Sequence, residues 1–163
     1  MTPSSLPDQQ RAIVIRELRV YRGANYYSYE PSIHLVLDIG ALEDAPTDLL
    51  PGFTEELVAL LPGLRDHQCS RGHDGGFVER LVEGTWTGHV SEHVALELQR
   101  TAGHEMTRGK TRSTGARGVY NVIYGYLDET VATLAGRLAV KLVNHLVSVS
   151  DEREETPGRV PIA

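Results

Sequence analysis

The chain has 163 residues, of which 40% are hydrophobic and 23% charged, and this composition is typical of one folded domain that needs no disulfide or structural metal. The net charge of -6 argues against nucleic-acid binding and suits a ligand with cationic groups. The single cysteine, Cys69, excludes an internal disulfide. Because the sequence also lacks a signal peptide and a membrane-spanning run, we expect a cytoplasmic protein with no membrane partner.

The first part of the chain predicts two paired strands. Residues 1–10 are polar and contain proline, which is typical of a flexible arm. Residues 12–23 and 32–42 are rich in β-branched and alternating apolar residues, so both predict strands. A short connection with three tyrosines joins them, and we therefore expect antiparallel pairing.

The middle of the chain predicts helices. Pro51 and Pro62 frame one amphipathic helix within residues 44–64. Residues 65–76 have the composition of a loop, and residues 77–84 predict a short helix. The next segment, 86–100, consists of good helix formers and is followed by Gly103 as its expected C-terminal cap.

The last part predicts a strand and a long helix. Residues 106–118 are basic and rich in turn formers, residues 119–127 are strongly strand-like, and residues 128–149 carry an apolar stripe at helical spacing. Residues 150–163 are charged and then proline-bearing, which is typical of a linker or tail. The order predicts one α+β domain over residues 11–149, with helices packed on one face of a mainly antiparallel sheet.

The chemically informative motif is His89-Val90-Ser91-Glu92-His93. Residues four apart share one face of a helix, so His89 and His93 form a two-imidazole platform for zinc. Glu92 borders the same point, where a carboxylate acts as general base for a zinc-activated water. This H-x-x-E-H string is the inverted form of H-E-x-x-H and is the motif of the inverzincins.

The alternative for this motif is structural: two partly exposed histidines bonded to nearby carboxylates. Two features favour the functional interpretation. Val90, Val94 and Leu98 form a separate apolar face through which the helix can pack. Gly84 and Gly88 lie beside the motif and permit close approach of backbone or substrate.

A closed metal site needs a third ligand, and Glu129 at the start of the last predicted helix is our first choice. Cys69 is the second, and His73 and Glu97 are further candidates. Each of the first two has an ordinary alternative. A glutamate in a first helical turn stabilises the helix dipole, and a lone cysteine is commonly a small buried hydrophobe.

Long segments of the chain resemble the N-terminal domain of cyanophycin synthetases. The resemblance covers nearly all of residues 12–147 and includes "RELRVYRGANYYS", the whole stretch from "PGFTEEL" to "LQRTAG", and the stretch from "GKTRSTG" to "AVKLV". In that family, ATP-dependent domains further along the chain join aspartate and arginine into a polymer with a poly-aspartate backbone. The chain has no G-x-x-x-x-G-K-[ST] phosphate loop, so the resemblance implies the accessory domain alone.

That accessory domain is associated with engaging the polymer, and in some members it carries a metallopeptidase-like site that cuts polymer into primers. Because His89, Glu92 and His93 are intact, the resemblance implies a zinc peptidase of this kind, with cyanophycin as its substrate. A non-catalytic domain that binds polymer and assembles the larger synthetase is the alternative. The motif also resembles that of pitrilysin-like peptidases, where the third ligand is a glutamate, and of S-ribosylhomocysteine lyase, where it is a cysteine.

Polymer binding requires charged side chains. Carboxylates pair with the polymer's arginines, and basic residues meet its free carboxylates. The candidates are Glu43, Asp44, Asp48, Glu55, Glu56, Asp74 and Glu79 on the acidic side, and Arg71, Arg108, Lys110 and Arg112 on the basic side. Each of them is equally consistent with a solvated surface charge, so the sequence singles out none.

Overall fold

A computed structural model of the protein describes residues 11–155. The predicted arm, 1–10, and the end of the predicted tail, 156–163, lie outside these residues. Within the described range, no helix combines the length and the apolar character that crossing a membrane requires.

The sheet has four strands: β1 (Val14–Tyr21), β2 (Ser32–Asp38), β3 (Gly109–Ser113) and β4 (Val119–Gly125). Their order is β1-β2-β4-β3, and every neighbouring pair is antiparallel. The predicted pairing of the first two strands is therefore confirmed. The order leaves β1 at one edge of the sheet and β3 at the other.

Four α-helices accompany the sheet: α1 (Phe53–Leu60), α2 (Gly76–Glu83), α3 (Thr87–Thr101) and α4 (Glu129–Glu155). Helix α3 contacts β3 and β4, helix α4 contacts β1 and β2, and the two helices pack against each other. The protein is thus an α+β fold with its helices on one face of an antiparallel sheet, as the sequence predicts.

The core lies between the sheet and these two helices. Ile33, Leu35 and Leu37 alternate along β2 and are fully buried, so they form its helix-facing side. Tyr124 of β4, which pairs with Ile33, lies on the same side and donates a hydrogen bond to the carbonyl of Ala132 in α4, 2.7 Å away. Gly136 lets this ring pass, because a Cβ atom there would collide with the tyrosine hydroxyl.

Three elements differ from the sequence-based prediction. The strand predicted over 32–42 ends at Asp38, and a 3-10 helix over Gly40–Asp44 follows it. Strand β3 lies inside residues 106–118, where only turns and basic residues were expected; its "GKTRS" has no apolar alternation and is held by its pairing with β4. Helix α4 continues to Glu155 rather than ending at 149. Ser150 is buried and Arg153 pairs with Glu56 of α1, so packing against α1 extends the helix into the predicted tail.

Candidate metal centre

Helix α3 carries the motif residues and is anchored at its start. The indole N–H of Trp86 donates to the carbonyl of Glu43, 3.0 Å away. Val90 and Val94 are fully buried in the core, whereas His89 and His93 line a cavity of about 880 Å³. The centroids of the two imidazole rings are 4.8 Å apart. The helix therefore separates its packing residues from its histidines, as the helical spacing predicts.

Cys69 comes to these histidines from the loop between α1 and α2. Its Sγ lies 3.4 Å from Nε2 of His89. Cys69, His89 and His93 each offer one ligand atom, and these atoms lie within 4.8 Å of one another. Among residues 11–155, Cys69 is the one non-glycine residue with a positive φ, 55°, a conformation that costs free energy and is often found at functional sites.

A hydrogen bond to the far nitrogen orients the first imidazole. The hydroxyl of Thr85 lies 2.9 Å from Nδ1 of His89, and a proton on Nδ1 leaves the Nε2 lone pair directed at Cys69. Thr85 is itself held by Thr47, whose hydroxyl accepts the Thr85 backbone N–H at 3.0 Å and donates to the carbonyl of Leu81 at 2.7 Å.

A longer hydrogen-bond chain orients the second imidazole. Nε2 of His67 lies 2.9 Å from a carboxylate oxygen of Glu97, and Nδ1 of His67 lies 2.9 Å from Nδ1 of His93. Because a carboxylate only accepts, the Nε2–H of His67 donates to Glu97, and Nδ1 of His67 accepts a hydrogen bond from the Nδ1–H of His93. Nε2 of His93 is then left with a free lone pair, which is the form that binds a metal.

Burial keeps both motif histidines neutral. It lowers the pKa of His89 to about 4, with the positive charge of Arg80 adding to the effect. It also lowers the pKa of His93 well below the ordinary value, with His89 and His67 as further causes. Phe77 contributes to this apolar environment: its ring stacks on His93 at a centroid distance of 3.9 Å. Neutral imidazoles are what a divalent metal requires as ligands.

Glu92 borders the ligand atoms. One of its carboxylate oxygens lies 3.8 Å from Nε2 of His93, and the other accepts a 2.7 Å hydrogen bond from the hydroxyl of Thr111 in β3. Burial raises the pKa of Glu92 to about 7, although the Thr111 hydrogen bond and Arg112 oppose the shift. A carboxyl group with this pKa can both take up and release a proton near neutral pH.

The structure does not bring Glu129 to this cluster. Nε and Nη2 of Arg22 each donate to the Glu129 carboxylate at 2.9 Å, and among the described residues Glu129 belongs neither to the cavity lining nor to the cluster of possible ligands. The reason is topological. Arg22 follows β1, whereas α3 packs against β3 and β4 at the opposite side of the sheet.

The other sequence candidates also lie apart from the ligand atoms. His73 is exposed and bonds to Glu79 at 2.8 Å. Glu97 is buried but bonds to His67 and Arg100, so it supports the cluster indirectly.

Four residues that position the site were not predicted in that role from the sequence: Thr85, Thr111, His67 and Glu97. Thr85 and Glu97 each carried a signal, a spacing of four from His89 and from His93; Thr111 and His67 depend on contacts between distant segments.

The cavity in front of the cluster carries charges of both signs. Arg80, Arg100, Lys110 and Arg112 line it together with Asp66 and Glu105. The lining comes from the loop before α2, from α3 and from all of β3. A ligand with both cationic and anionic groups finds partners for each on these walls.

Comparison with known proteins identifies relatives over most of the chain. The family model for the cyanophycin synthase-like N-terminal domain matches residues 34–148. The cyanophycin synthetase of Geminocystis herdmanii is 45% identical over 136 residues, which cover 82% of this chain and 16% of that protein. The cyanophycin synthetase of Synechocystis is 47% identical over 132 residues, covering 80% of this chain and 15% of that protein. The chain thus spans about a sixth of the length of these relatives.

Proposed function

The chain belongs to the family of cyanophycin synthase-like N-terminal domains, and we propose that it is a zinc-dependent peptidase-like domain that cuts cyanophycin into primers for polymer synthesis. The observation that carries the proposal is the position of Glu92, whose carboxylate lies 3.8 Å from Nε2 of His93 in a cluster completed by Cys69 and His89.

Cys69, His89 and His93 would hold the metal. One thiolate and two imidazoles suit zinc, and three protein ligands leave one tetrahedral position open, as in catalytic rather than structural zinc sites. We therefore assign the third position to Cys69 in place of Glu129. The chemistry that zinc supplies in a site of this kind is Lewis acidity, which activates water near neutral pH.

Glu92 carries the proton in the proposed hydrolysis. Water adds its oxygen to the carbonyl carbon of a backbone amide of the polymer, and the C–N bond breaks. Glu92 takes the proton that water loses and delivers it to the departing amine. The hydroxyl of Thr111 holds one Glu92 oxygen at 2.7 Å, which leaves the other oxygen directed at the cluster.

The substrate assignment rests on family membership and on charge. Each repeat of the polymer carries an arginine with a guanidinium and a free carboxylate. The chain has a net charge of -6, and its cavity combines Asp66 and Glu105 with four basic residues. Both groups of each repeat therefore find opposite charges at the cavity wall.

The test is incubation of zinc-loaded protein with cyanophycin, followed by mass analysis of the products. We expect the wild type to release fragments and Glu92→Gln to bind zinc without releasing them. Glu55→Gln is the matched control, because Glu55 is exposed on α1 and outside the cavity. Cleavage by Glu92→Gln at the wild-type rate would sink the mechanism.

A non-catalytic module that binds polymer and assembles a larger ATP-dependent synthetase is the second candidate. It is favoured by the small share of each relative, about a sixth, that the chain covers. Elemental analysis separates the two. Purified protein without bound zinc, whose polymer retention survives replacement of both His89 and His93 by alanine, would favour the binding module.

A further inference from the structure

Strand β3 is an open edge of the sheet beside the candidate metal centre. Its partner is β4, and in the sheet order β1-β2-β4-β3 no other strand of the described residues lies next to it. Every residue of β3, from Gly109 to Ser113, lines the cavity. An edge strand presents unpaired backbone groups that can hydrogen-bond another extended chain.

The hydrogen bonds that flank β3 show which of its backbone groups are free. The N–H of Gly125 donates to the carbonyl of Arg108 at 2.8 Å, and the N–H of Thr114 donates to the carbonyl of Val119 at 3.1 Å. Alternate residues of an antiparallel strand bond to the same partner, so the even-numbered residues of β3 bond to β4. The N–H and C=O groups of Gly109, Thr111 and Ser113 therefore point to the open edge.

One of these residues also holds the proposed general base. Thr111 directs its backbone groups to the edge, and its side-chain hydroxyl donates to Glu92 at 2.7 Å. Paired strands lie about 4.8 Å apart, so a peptide bond opposite Thr111 would come within one strand spacing of the residue that positions Glu92. Among the described residues, one side-chain hydrogen bond reaches these outward backbone groups, from the exposed guanidinium of Arg112 to the Thr111 carbonyl at 3.3 Å.

We propose that β3 docks the substrate: an extended segment of the polymer's aspartate backbone adds to the sheet as a fifth strand, hydrogen-bonded to Gly109, Thr111 and Ser113. This inference rests on the proposed function, and it names how the substrate is held. Strand addition takes its affinity from main-chain hydrogen bonds. All repeats of the polymer are alike, so backbone pairing lets any stretch dock.

Charge beside the edge selects this polymer over an ordinary extended peptide. Arg112 and Glu105 line the cavity, are exposed, and form no salt bridge within residues 11–155. Successive side chains of the added strand point to opposite faces of the sheet. Each substituent of the polymer carries both a guanidinium and a carboxylate. On whichever face of the sheet it lies, it can therefore pair its guanidinium with Glu105 or its carboxylate with Arg112.

The test removes one edge amide while keeping the strand. Ser113→Pro deletes an outward N–H, and proline is tolerated on the open side of an edge strand. Ser113→Ala loses the same hydroxyl and keeps the N–H, so the effect of proline is measured relative to alanine. The probe is a synthetic chain of four aspartates, each with arginine on its side-chain carboxyl. Its binding is measured by calorimetry with each Ser113 variant combined with Glu92→Gln, so that the probe is not cleaved.

We expect the proline variant to bind the probe about tenfold more weakly than the alanine variant, the effect of one lost hydrogen bond, with equal zinc content. Hydrogen exchange of the Glu92→Gln protein provides a second measurement that needs no edge substitution. The probe should slow hydrogen exchange at the backbone amides of Gly109, Thr111 and Ser113, which face solvent in the free protein.

The outcomes separate this inference from the proposed function. If the probe slows hydrogen exchange at the β3 amides but the wild type cleaves no polymer, docking on β3 is supported and the proposed hydrolase is overturned. Cleavage with unslowed amides, or equal binding by the two Ser113 variants, would overturn docking and leave the hydrolase intact. If hydrogen exchange at these amides slows when the protein concentration alone is raised, the edge serves self-association and docking is overturned. If the protein neither binds nor cleaves the polymer, both proposals are overturned.

Discussion

The Nδ1 atoms of His67 and His93 lie 2.9 Å apart, so one of these two nitrogens carries the proton and the other accepts it. The carboxylate of Glu97, 2.9 Å from Nε2 of His67, decides the direction, because it accepts a hydrogen bond from the Nε2–H of His67 and leaves Nδ1 of His67 as the acceptor. Glu97 thus orients His93, which lies one turn earlier in the same helix, and it does so through His67 of the preceding loop.

Replacing His67 by alanine should weaken zinc binding by about 10–100-fold, the usual cost of losing a partner that orients a metal ligand. Nδ1 of His93 then has no acceptor among residues 11–155, and its ring is free to take the other tautomer. Competition with a chelator of known affinity measures the loss. His73→Ala is the matched control in the same loop, because His73 is exposed and bonds to Glu79. An equal loss in both variants would contradict the relay from Glu97.

Replacing Cys69 by alanine should lower zinc affinity by more than about 100-fold, since loss of a direct ligand exceeds the effect of losing an orienting partner. Glu129→Gln should leave zinc affinity unchanged, because its carboxylate pairs with Arg22 at the other side of the fold. Titration of the two metal-free variants with zinc measures the difference. The reverse result, with zinc lost from Glu129→Gln and retained by Cys69→Ala, would return the third position to Glu129.

Local patterns predict most of the fold and the centre of the site. The apolar alternation of β2, the prolines around α1 and the helical spacing of His89 and His93 are all properties of short segments, and the structure has each element at the predicted place. The α+β class follows from their order. The same helical spacing also predicts that Val90 packs inward while the histidines line a cavity.

The remaining parts of the site depend on contacts between distant segments. Strand β3 has a polar sequence without apolar alternation, and it is held by its pairing with β4. The local sequence pattern therefore does not predict this strand. His67 reaches His93 only because the loop after α1 folds over α3. Our proposal of Cys69 rather than Glu129 as third ligand required the strand order, which places Glu129 near the end of β1.

The stability of the metal-free protein should reveal the unusual pKa of Glu92. Its pKa is about 7 in the fold against an ordinary value of 4.5, so between these pH values the folded state holds a proton that the unfolded chain has lost. Stability from this group is fully present below pH 4.5 and disappears as the pH rises through 7. Relative to Glu92→Gln, the wild type should therefore lose about 3 kcal/mol of unfolding free energy over this range.

Urea unfolding of both proteins at a series of pH values, with a chelator present, measures this difference. His89 and His93 are common to the two proteins, so the destabilisation that they cause in acid cancels. The sign is diagnostic: the difference should move in favour of Glu92→Gln as the pH rises. A difference that stays constant from pH 4 to 8 would show that Glu92 keeps an ordinary pKa.

Gly109 sets the space available to Glu92 and provides the sharpest test of its position. A Cβ atom at residue 109 would lie 2.7 Å from one carboxylate oxygen of Glu92 and 3.0 Å from its Cγ. Gly109→Ala must therefore displace a carboxylate that Thr111 holds on its other oxygen. Displacement of a catalytic group by about 1 Å costs about 100-fold in rate, so we expect polymer cleavage to fall by this factor. Zinc should stay bound, since the three atoms nearest to the new methyl group all belong to Glu92 and none to the three proposed ligands.

Gly23→Ala is the matched control for this substitution. A Cβ atom at Gly23 meets no atom within 4 Å, and its φ is not in the left-handed region, so the change adds the same methyl group without strain or contact. Initial rates of fragment release, measured beside zinc content, distinguish the two variants. If Gly109→Ala cleaves as fast as Gly23→Ala, Glu92 can be displaced without consequence and is not the proton carrier; if Gly109→Ala instead loses its zinc, the residue supports the metal site as a whole.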